Sequence, residues 1–253
     1  MADPVTSGRP AGEIIVSRDY GDLCAEAAQR ILTLSEQAIS QRGRFTLALS
    51  GGSTPKGVYA LMAGHAFAWD KIHFFFGDER WVPANDTRSN FCMVNETLFT
   101  KVRVPAKNIN AVQTKTPDPE TSASLYAKEL KSFFGVKTGD FPVFDLVLLG
   151  LGPEGHTASL FPGSPALDET KHLAVATEKE NGLRRITLTL PVLNNAANIF
   201  FLVSGAEKAA IFKRVLSAAH SGTPRNPLLP AEHVYPPRGK LHWLVDQPAA
   251  RFA

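Results

Sequence analysis

Short apolar runs alternate along the chain with longer stretches whose apolar residues recur at helical spacing. Residues 19–41 show the helical pattern clearly, and Gly43 is placed to end that helix. The apolar residues that would share its buried face are Leu23, Ala27, Ile31, Leu34 and Ala38. Comparable patterns predict helices at 55–64, 89–102, 120–134 and 206–220. The apolar runs predict strands at 13–17, 44–50, 71–79, 143–152, 172–177, 184–190, 197–205 and 240–246.

Strands that alternate with helices are typical of βα units joined into a mainly parallel sheet. We therefore expect an α/β fold in which residues 1–253 form one domain, with residues 1–12 as a flexible N-terminus. A small subdomain could be inserted near residues 105–140. The proline-rich loop "PLLPAEHVYPPRG" is too short to link two domains.

Composition narrows the class of protein. The 27 basic and 24 acidic residues are spread along the chain, so a basic stripe for nucleic acid is not expected. No stretch approaches the roughly 20 apolar residues that a membrane helix needs, and the N-terminus does not resemble a secretory signal. Two cysteines, Cys24 and Cys92, exclude a disulfide framework and a cysteine zinc site. We expect a cytoplasmic protein that binds neither membrane nor nucleic acid.

The stretch "GLGPEGHTASLFPG" at 150–163 has the GxGxxG spacing of a dinucleotide-binding turn and follows an apolar strand. Glu178, after the next strand, stands roughly where an acidic ribose partner would fall. However, Pro162 and Pro165 leave no room for the long helix that a pyrophosphate site requires. NAD is therefore the weaker interpretation. The stronger one is that the glycines form a tight turn that presents His156.

A second glycine-rich turn follows the strand at 44–50. It consists of Ser50, Gly51, Gly52, Ser53 and Thr54, and a helix begins immediately after it. Backbone N–H groups at a helix N-terminus bind phosphate well, because they are unpaired and the helix end is partly positive. The alternative is an ordinary strand-to-helix turn in which Ser53 or Thr54 caps the helix.

Charged residues stand at other predicted strand ends. Asp78, Glu79 and Arg80 follow "FFFG", and in open α/β sheets the carboxyl ends of strands are where ligands bind. They could equally form a solvated turn in which Arg80 pairs with its neighbours. Lys208 and Arg185 could be ordinary surface cations, or could complete a basic cleft for a phosphorylated ligand.

His156 is the best candidate for a general base, since imidazole titrates near neutral pH. Glu154 lies two residues before it. A capping or core histidine is the structural alternative. No second histidine lies at metal-binding spacing, so we expect no metal.

Six segments together resemble the 6-phosphogluconolactonase family: "LALSGGSTPKGVY", "FFFGDERWVP", "SNFCMVNETLF", "FDLVLLGLGPEGHTASLFPGS", "RRITLTLPVLNNA" and "FFLVSGAEKAAIFKRVL". They occur in the family's order from about residue 13 to 246. The resemblance implies a Rossmann-like three-layer α/β sandwich related to glucosamine-6-phosphate deaminases. It also implies hydrolysis of 6-phospho-D-glucono-1,5-lactone to 6-phospho-D-gluconate, the second step of the oxidative pentose phosphate pathway, without metal or organic cofactor.

The resemblance also assigns roles. His156 would be the base that activates water, and Arg80 a cation near the reacting carbonyl. The turn of Gly51, Gly52, Ser53 and Thr54 would bind phosphate with Lys208 and Arg185. The family often has Asp where this chain has Glu154, so the role of Glu154 beside His156 is the least certain of these assignments.

Direct attack by water is favoured over an acyl-enzyme, because the chain has no GxSxG nucleophile turn. Two alternatives stay open. A sugar-phosphate isomerase or deaminase could use Asp78 with Glu154 as an acid–base pair, and a non-catalytic sugar-phosphate binder would have no need of His156. The expected partner is a small phosphorylated sugar lactone, with no obligate protein partner.

Overall fold

The computed structural model describes residues 12–178, 182–220 and 229–252. Most of the predicted flexible N-terminus therefore lies outside the described residues. Strands in the described ranges are β1 (Glu13–Ser17), β2 (Phe45–Leu49), β3 (Ile72–Phe76), β4 (Asp78–Arg80), β5 (Leu146–Gly150), β6 (Ala174–Glu178), β7 (Arg184–Leu188), β8 (Asn198–Val203) and β9 (Lys240–Asp246). Helices are α1 (Tyr20–Arg42), α2 (Ser53–Met62), α3 (Asn90–Val94), α4 (Pro119–Phe134), α5 (Leu190–Asn194), α6 (Ala209–His220) and α7 (Gln247–Ala250).

Six strands form a parallel sheet in the order β1-β9-β8-β5-β2-β3, with helices on both faces. Every residue of β2 is buried, as are all but one in β5 and in β8, because layers cover both sides of the sheet. The chain runs from β2 outward to β3 and from β5 outward in the opposite direction through β8. The two central strands β2 and β5 thus define the topological switch point, where a crevice opens at the carboxyl ends. The predicted α/β fold is confirmed.

The predicted helix boundaries match well where capping residues fix them. Asp19 accepts a hydrogen bond from the Asp22 N–H at the start of α1, and Gly43 ends that helix with a φ of 73°. Helix α4 begins after Asp118 and ends at Gly135 in the same manner. The predicted helix at 89–102 is instead α3 followed by a π-helical turn, Asn95–Phe99.

A second sheet, in the order β4-β7-β6, is antiparallel. The prediction of a single strand over 71–79 was wrong, because Gly77 divides it between the two sheets. The Gly77 N–H donates to Leu49 of the large sheet, while its carbonyl accepts from Leu188 of the small one. The apolar "IHFFF" pairs with β2 and the polar "DER" pairs with β7. This division places Asp78, Glu79 and Arg80 beside the end of the large sheet.

Helix α4 packs against β6 and β7. Its buried residues Ala123, Tyr126 and Leu130 join the same hydrophobic cluster as the strands of the large sheet. The Tyr126 hydroxyl also accepts from the Phe76 N–H at 2.8 Å and donates to the Phe76 carbonyl at 2.9 Å. The subdomain suggested near 105–140 is thus not built around a core of its own, since its helix covers the small sheet.

Candidate active site

A cavity of about 210 Å³ lies at the carboxyl ends of β2 and β5. The small sheet forms one wall, and the turn after β8 forms another. Ten of the residues proposed from sequence line it: Ser50, Gly51, Gly52, Ser53, Thr54, Asp78, Arg80, His156, Arg185 and Lys208. Glu154 instead lines a larger cleft of about 920 Å³ next to it. Residues far apart in sequence therefore converge at the switch point.

Residues 50–54, which we call the glycine turn, join β2 to α2. Gly52 is the residue preceding the helix, with a φ of 107°, and it offers no side chain to cap the first turn. The alternative in which Ser53 or Thr54 caps the helix is therefore wrong, since both belong to the helix itself. An uncapped helix N-terminus that faces a cavity is suited to an anion.

Two side chains that the sequence reasoning missed hold the glycine turn. The Tyr59 hydroxyl, on α2, accepts from the Ser50 N–H at 2.9 Å and donates to the Ser50 carbonyl at 2.8 Å. Asn90 packs so closely that any Cβ atom on Gly51 would overlap its Oδ1 atom. Tyr59 and Asn90 therefore hold the glycine turn in place. The "SNF" segment was part of the family resemblance, but nothing in its spacing pointed to this contact.

Residues 150–159, the histidine loop, follow β5. Gly152 donates its N–H to the His156 carbonyl at 2.8 Å, and Gly155 has a φ of 80°. A Cβ atom on Gly152 would overlap the His156 ring. No helix follows the glycines between residues 151 and 163, a stretch described in full. The loop therefore lacks the long helix that a pyrophosphate site requires, and its glycines leave space for the His156 ring at the cavity.

The His156 ring lies between a carboxylate and an aromatic side chain. Its Nδ1 atom is 3.1 Å from Oε2 of Glu154, and its centroid is 4.9 Å from that of Phe161. A carboxylate at one ring nitrogen orients the imidazole and favours its protonated form. The longer Glu side chain thus reaches His156 from the neighbouring cleft.

Asp78 and Glu79 are both buried in β4, but they have different partners. Asp78 accepts from Asn90 Nδ2 at 3.1 Å and from Ser159 Oγ at 2.6 Å. Glu79 accepts from three backbone N–H groups, those of Arg80, Asn90 and Phe91. Burial raises the pKa of the Glu79 carboxyl, and these hydrogen bonds oppose that rise. Glu79 therefore holds the start of α3 against β4.

Three cations reach the cavity from different elements. Arg80 donates from Nη1 to the Arg88 carbonyl at 2.7 Å, and its buried Nε has no hydrogen-bond partner among the described residues. Lys208 ends a 3₁₀ turn, Ala206–Lys208, just before α6. Arg185, in β7, is 8% exposed, so it is not a surface cation. Burial lowers the pKa of its guanidinium, while the Asp78 carboxylate opposes the shift.

No group of three or more His, Cys, Asp or Glu residues in the described ranges is placed to hold a metal ion. Within the same ranges, no helix is both long and apolar enough to cross a bilayer.

Comparison with known proteins gives a family match over most of the chain. Residues 18–243 match the family model described as glucosamine-6-phosphate isomerases/6-phosphogluconolactonase. The chain belongs to this family. The 6-phosphogluconolactonase of Synechocystis sp. is 40% identical over 240 residues, covering 95% of this chain and 97% of that protein. The rat 6-phosphogluconolactonase is 36% identical over 249 residues, covering 95% and 93%.

A solved structure supports the same placement within the glucosamine-6-phosphate isomerase/6-phosphogluconolactonase family. The 6-phosphogluconolactonase of Trypanosoma brucei aligns with a TM-score of 0.84 and 31% identity, over 95% of this chain and 98% of that one. The family description names two kinds of enzyme, both by reference to a phosphorylated sugar. The two relatives and this solved structure are all named as the lactonase.

Proposed function

We propose that this protein hydrolyses 6-phospho-D-glucono-1,5-lactone to 6-phospho-D-gluconate. The observation that carries the proposal is the convergence of His156, an uncapped helix N-terminus and three cations in one small cavity. A phosphate at the glycine turn fixes one end of the substrate, and the lactone carbonyl then lies toward His156. An anion site next to a general base supports a phosphorylated lactone as the class of substrate.

His156 acts as the general base in this proposal. A δ-lactone is an activated ester, so a positioned base and charge stabilisation of the developing oxyanion suffice for attack by water. Arg80 supplies that stabilisation, and Glu154 orients the imidazole and stabilises the imidazolium that forms. The remote phosphate contributes binding energy that orients the carbonyl.

An acyl-enzyme has little support from the geometry. Ser159, three residues after His156, is fully buried, and its hydroxyl donates to Asp78 rather than to His156. A serine nucleophile needs its hydroxyl within hydrogen-bond reach of the base and exposed to substrate. Ser159 meets neither requirement, which favours direct attack by water.

The alternative of an isomerase or deaminase requires a carboxylate that can exchange protons with a sugar carbon. Asp78 was the candidate, together with Glu154. Both Asp78 oxygens accept hydrogen bonds, and Glu154 opens onto the neighbouring cleft rather than the cavity. This arrangement favours the lactonase. A binding protein without activity would gain nothing from the close fit of Gly152 around the His156 ring.

The deciding experiment adds purified protein to freshly made 6-phosphogluconolactone and records proton release against spontaneous hydrolysis. A parallel sample is treated exhaustively with a chelator, and we expect equal rates in both samples. A second arm offers glucosamine 6-phosphate and measures ammonia release, where we expect none. Ammonia release without lactone hydrolysis would replace the lactonase proposal with the deaminase. Loss of activity with the chelator and its return with zinc or manganese would show that a metal is needed.

A further inference from the structure

Ser159 links two charged residues of the cavity wall, Asp78 and Arg185. Its hydroxyl donates to Oδ2 of Asp78 at 2.6 Å and accepts from Nη1 of Arg185 at 3.4 Å. The guanidinium and the carboxylate approach each other only to 3.9 Å, which is too far for a direct hydrogen bond. Ser159 therefore bridges Arg185 and Asp78, which do not hydrogen-bond to each other directly.

The backbone around Ser159 is held in an uncommon conformation. Ala158 has a φ of 48°, and no other non-glycine residue in the described ranges has a positive φ. Such a conformation costs energy and persists where surrounding contacts enforce it. Here the Ser159 N–H donates to Thr187 Oγ1 at 3.3 Å, and its carbonyl accepts from Thr177 Oγ1 at 3.1 Å. The turn at Ala158 thus lets His156 line the cavity while the Ser159 side chain contacts Asp78 and Arg185.

Asp78 is fixed from its other side. Asn90 Nδ2 donates to the Asp78 backbone carbonyl at 2.8 Å and to Oδ1 at 3.1 Å. The carboxylate is only 6% exposed, and it is anchored on both oxygens. Both contacts hold the carboxylate at the wall of the cavity, where Ser159 links it to Arg185.

Arg185 keeps donors that the protein itself does not use. Its Nε atom is buried and has no hydrogen-bond partner within the described residues. Its guanidinium carbon lies 5.3 Å from the centroid of the Phe161 ring. The guanidinium therefore packs against an aromatic ring in addition to its hydrogen bond with Ser159. A buried guanidinium with unused donors is costly unless an anion completes its hydrogen bonds. Arg185 also lines the same cavity as the glycine turn and Lys208.

We propose that Ser159 is a positioning residue that holds the Arg185 guanidinium at the cavity wall, where the guanidinium binds the substrate phosphate. Asp78 anchors Ser159 and supplies the opposing charge from the wall of the cavity. The inference rests on the proposed lactonase function for its kinetic test, while its binding test is independent of that function. Loss of the Ser159 hydroxyl should weaken recognition of the phosphate specifically, whereas a purely structural role would affect both lactones equally.

The test compares Ser159→Ala with wild type on 6-phosphogluconolactone and on gluconolactone, which lacks the phosphate. Because a charge-assisted hydrogen bond network is weakened, the ratio of the two kcat/KM values should fall about 10-fold. KM for the phosphorylated lactone should rise while kcat changes little. Ser122→Ala is the matched control, since Ser122 is equally buried in α4 and its hydroxyl contacts Thr116 at 2.6 Å, away from the cavity. It should leave the ratio unchanged.

Calorimetric titration with inorganic phosphate provides the second readout, and Ser159→Ala should weaken binding by a similar factor. If wild type binds phosphate but hydrolyses no lactone, the proposed function fails while this arm still tests Ser159. An unchanged ratio and unchanged phosphate affinity would overturn the inference, as would an equal loss on both lactones. If Ser159→Ala shows no cooperative thermal unfolding, Asp78→Asn takes its place. That variant keeps the side-chain size and should lower the same ratio, and an unchanged ratio would overturn the inference.

Discussion

The two sides of the cavity are built in different ways. The glycine turn is a regular strand-to-helix connection, and it presents backbone groups that any sequence with suitable glycines can supply. The histidine loop has no regular structure beyond β5, and it depends on the space left by Gly152 and on a positive φ at Ala158. Binding thus relies on backbone geometry that the fold provides, whereas the proposed chemistry relies on one side chain in a sterically restricted loop. Changes around His156 should therefore damage kcat, whereas changes to the glycine turn, or to Ser159 and Arg185, should damage recognition of the phosphate.

His156→Ala should separate the proposed chemistry from phosphate binding most clearly. Loss of a general base should lower kcat by roughly 10²–10⁴, while binding of 6-phosphogluconate persists because the glycine turn and Lys208 hold the phosphate. Rates from proton release and affinities from calorimetry measure the two effects. His172→Ala is the control, because His172 also pairs with a glutamate, Glu169, at 2.8 Å but on the surface. Nearly normal kcat in His156→Ala would make the residue structural, and lost product binding would make it a binding residue.

Removal of the phosphate from the substrate tests the other side. Gluconolactone should be hydrolysed at least ~100-fold less efficiently in kcat/KM, equivalent to about 2.7 kcal/mol of lost transition-state binding. The measurement compares initial rates on both lactones after subtraction of spontaneous hydrolysis. Comparable efficiency on the two substrates would show that the glycine turn does not contribute to recognition.

Gly152→Ala tests the steric claim about the histidine loop. The added methyl group would overlap the His156 ring, so the ring must move, and a displacement of about 1 Å can cost up to ~10²-fold in kcat. Affinity for 6-phosphogluconate should change far less. Gly64→Ala is the matched control, because Gly64 is exposed, does not line the cavity, and a Cβ atom there would meet only the Leu61 carbonyl oxygen at 3.4 Å. Equal losses in the two variants would contradict the steric explanation.

Glu154 should give the smallest effect. Its contact with His156 is partly exposed, and such pairs contribute at most about 1 kcal/mol, so Glu154→Gln should lower kcat about fivefold. The acidic limb of the pH–rate profile should also move to lower pH, because the carboxylate favours the protonated imidazole. Glu154→Asp keeps the charge and should retain most activity. An unchanged profile in Glu154→Gln would show that the carboxylate does not influence His156.

The periodicity of the sequence located most elements because the long parallel strands and their helices have strong, uniform patterns. It failed at 71–79, where one apolar run and one polar run are consecutive but pair with different sheets. Strand pairing is a long-range property, so a local pattern cannot reveal that Gly77 changes partners. The sequence pattern also did not distinguish the π-helical turn after α3 from an α-helix.

The candidate site was predictable where short motifs carry the chemistry. His156 and the glycine turn both follow strands, and the switch point explains why they meet. The supporting residues were not predictable in the same way. Tyr59, Asn90 and Ser159 are ordinary residues in sequence, and their roles depend on contacts between elements that only the tertiary structure brings together. The roles of the predicted site residues themselves stay predictions until the variants above are measured.

Tyr59 and Tyr126 have a shared consequence for the speed of binding. Each tyrosine hydroxyl bonds both the N–H and the carbonyl of one residue at the end of a neighbouring strand, Ser50 beside β2 and Phe76 in β3. The strand ends at the proposed phosphate site are therefore held in place by the protein's own hydrogen bonds. Association should then be a single bimolecular step whose observed rate rises linearly with ligand concentration and shows no plateau.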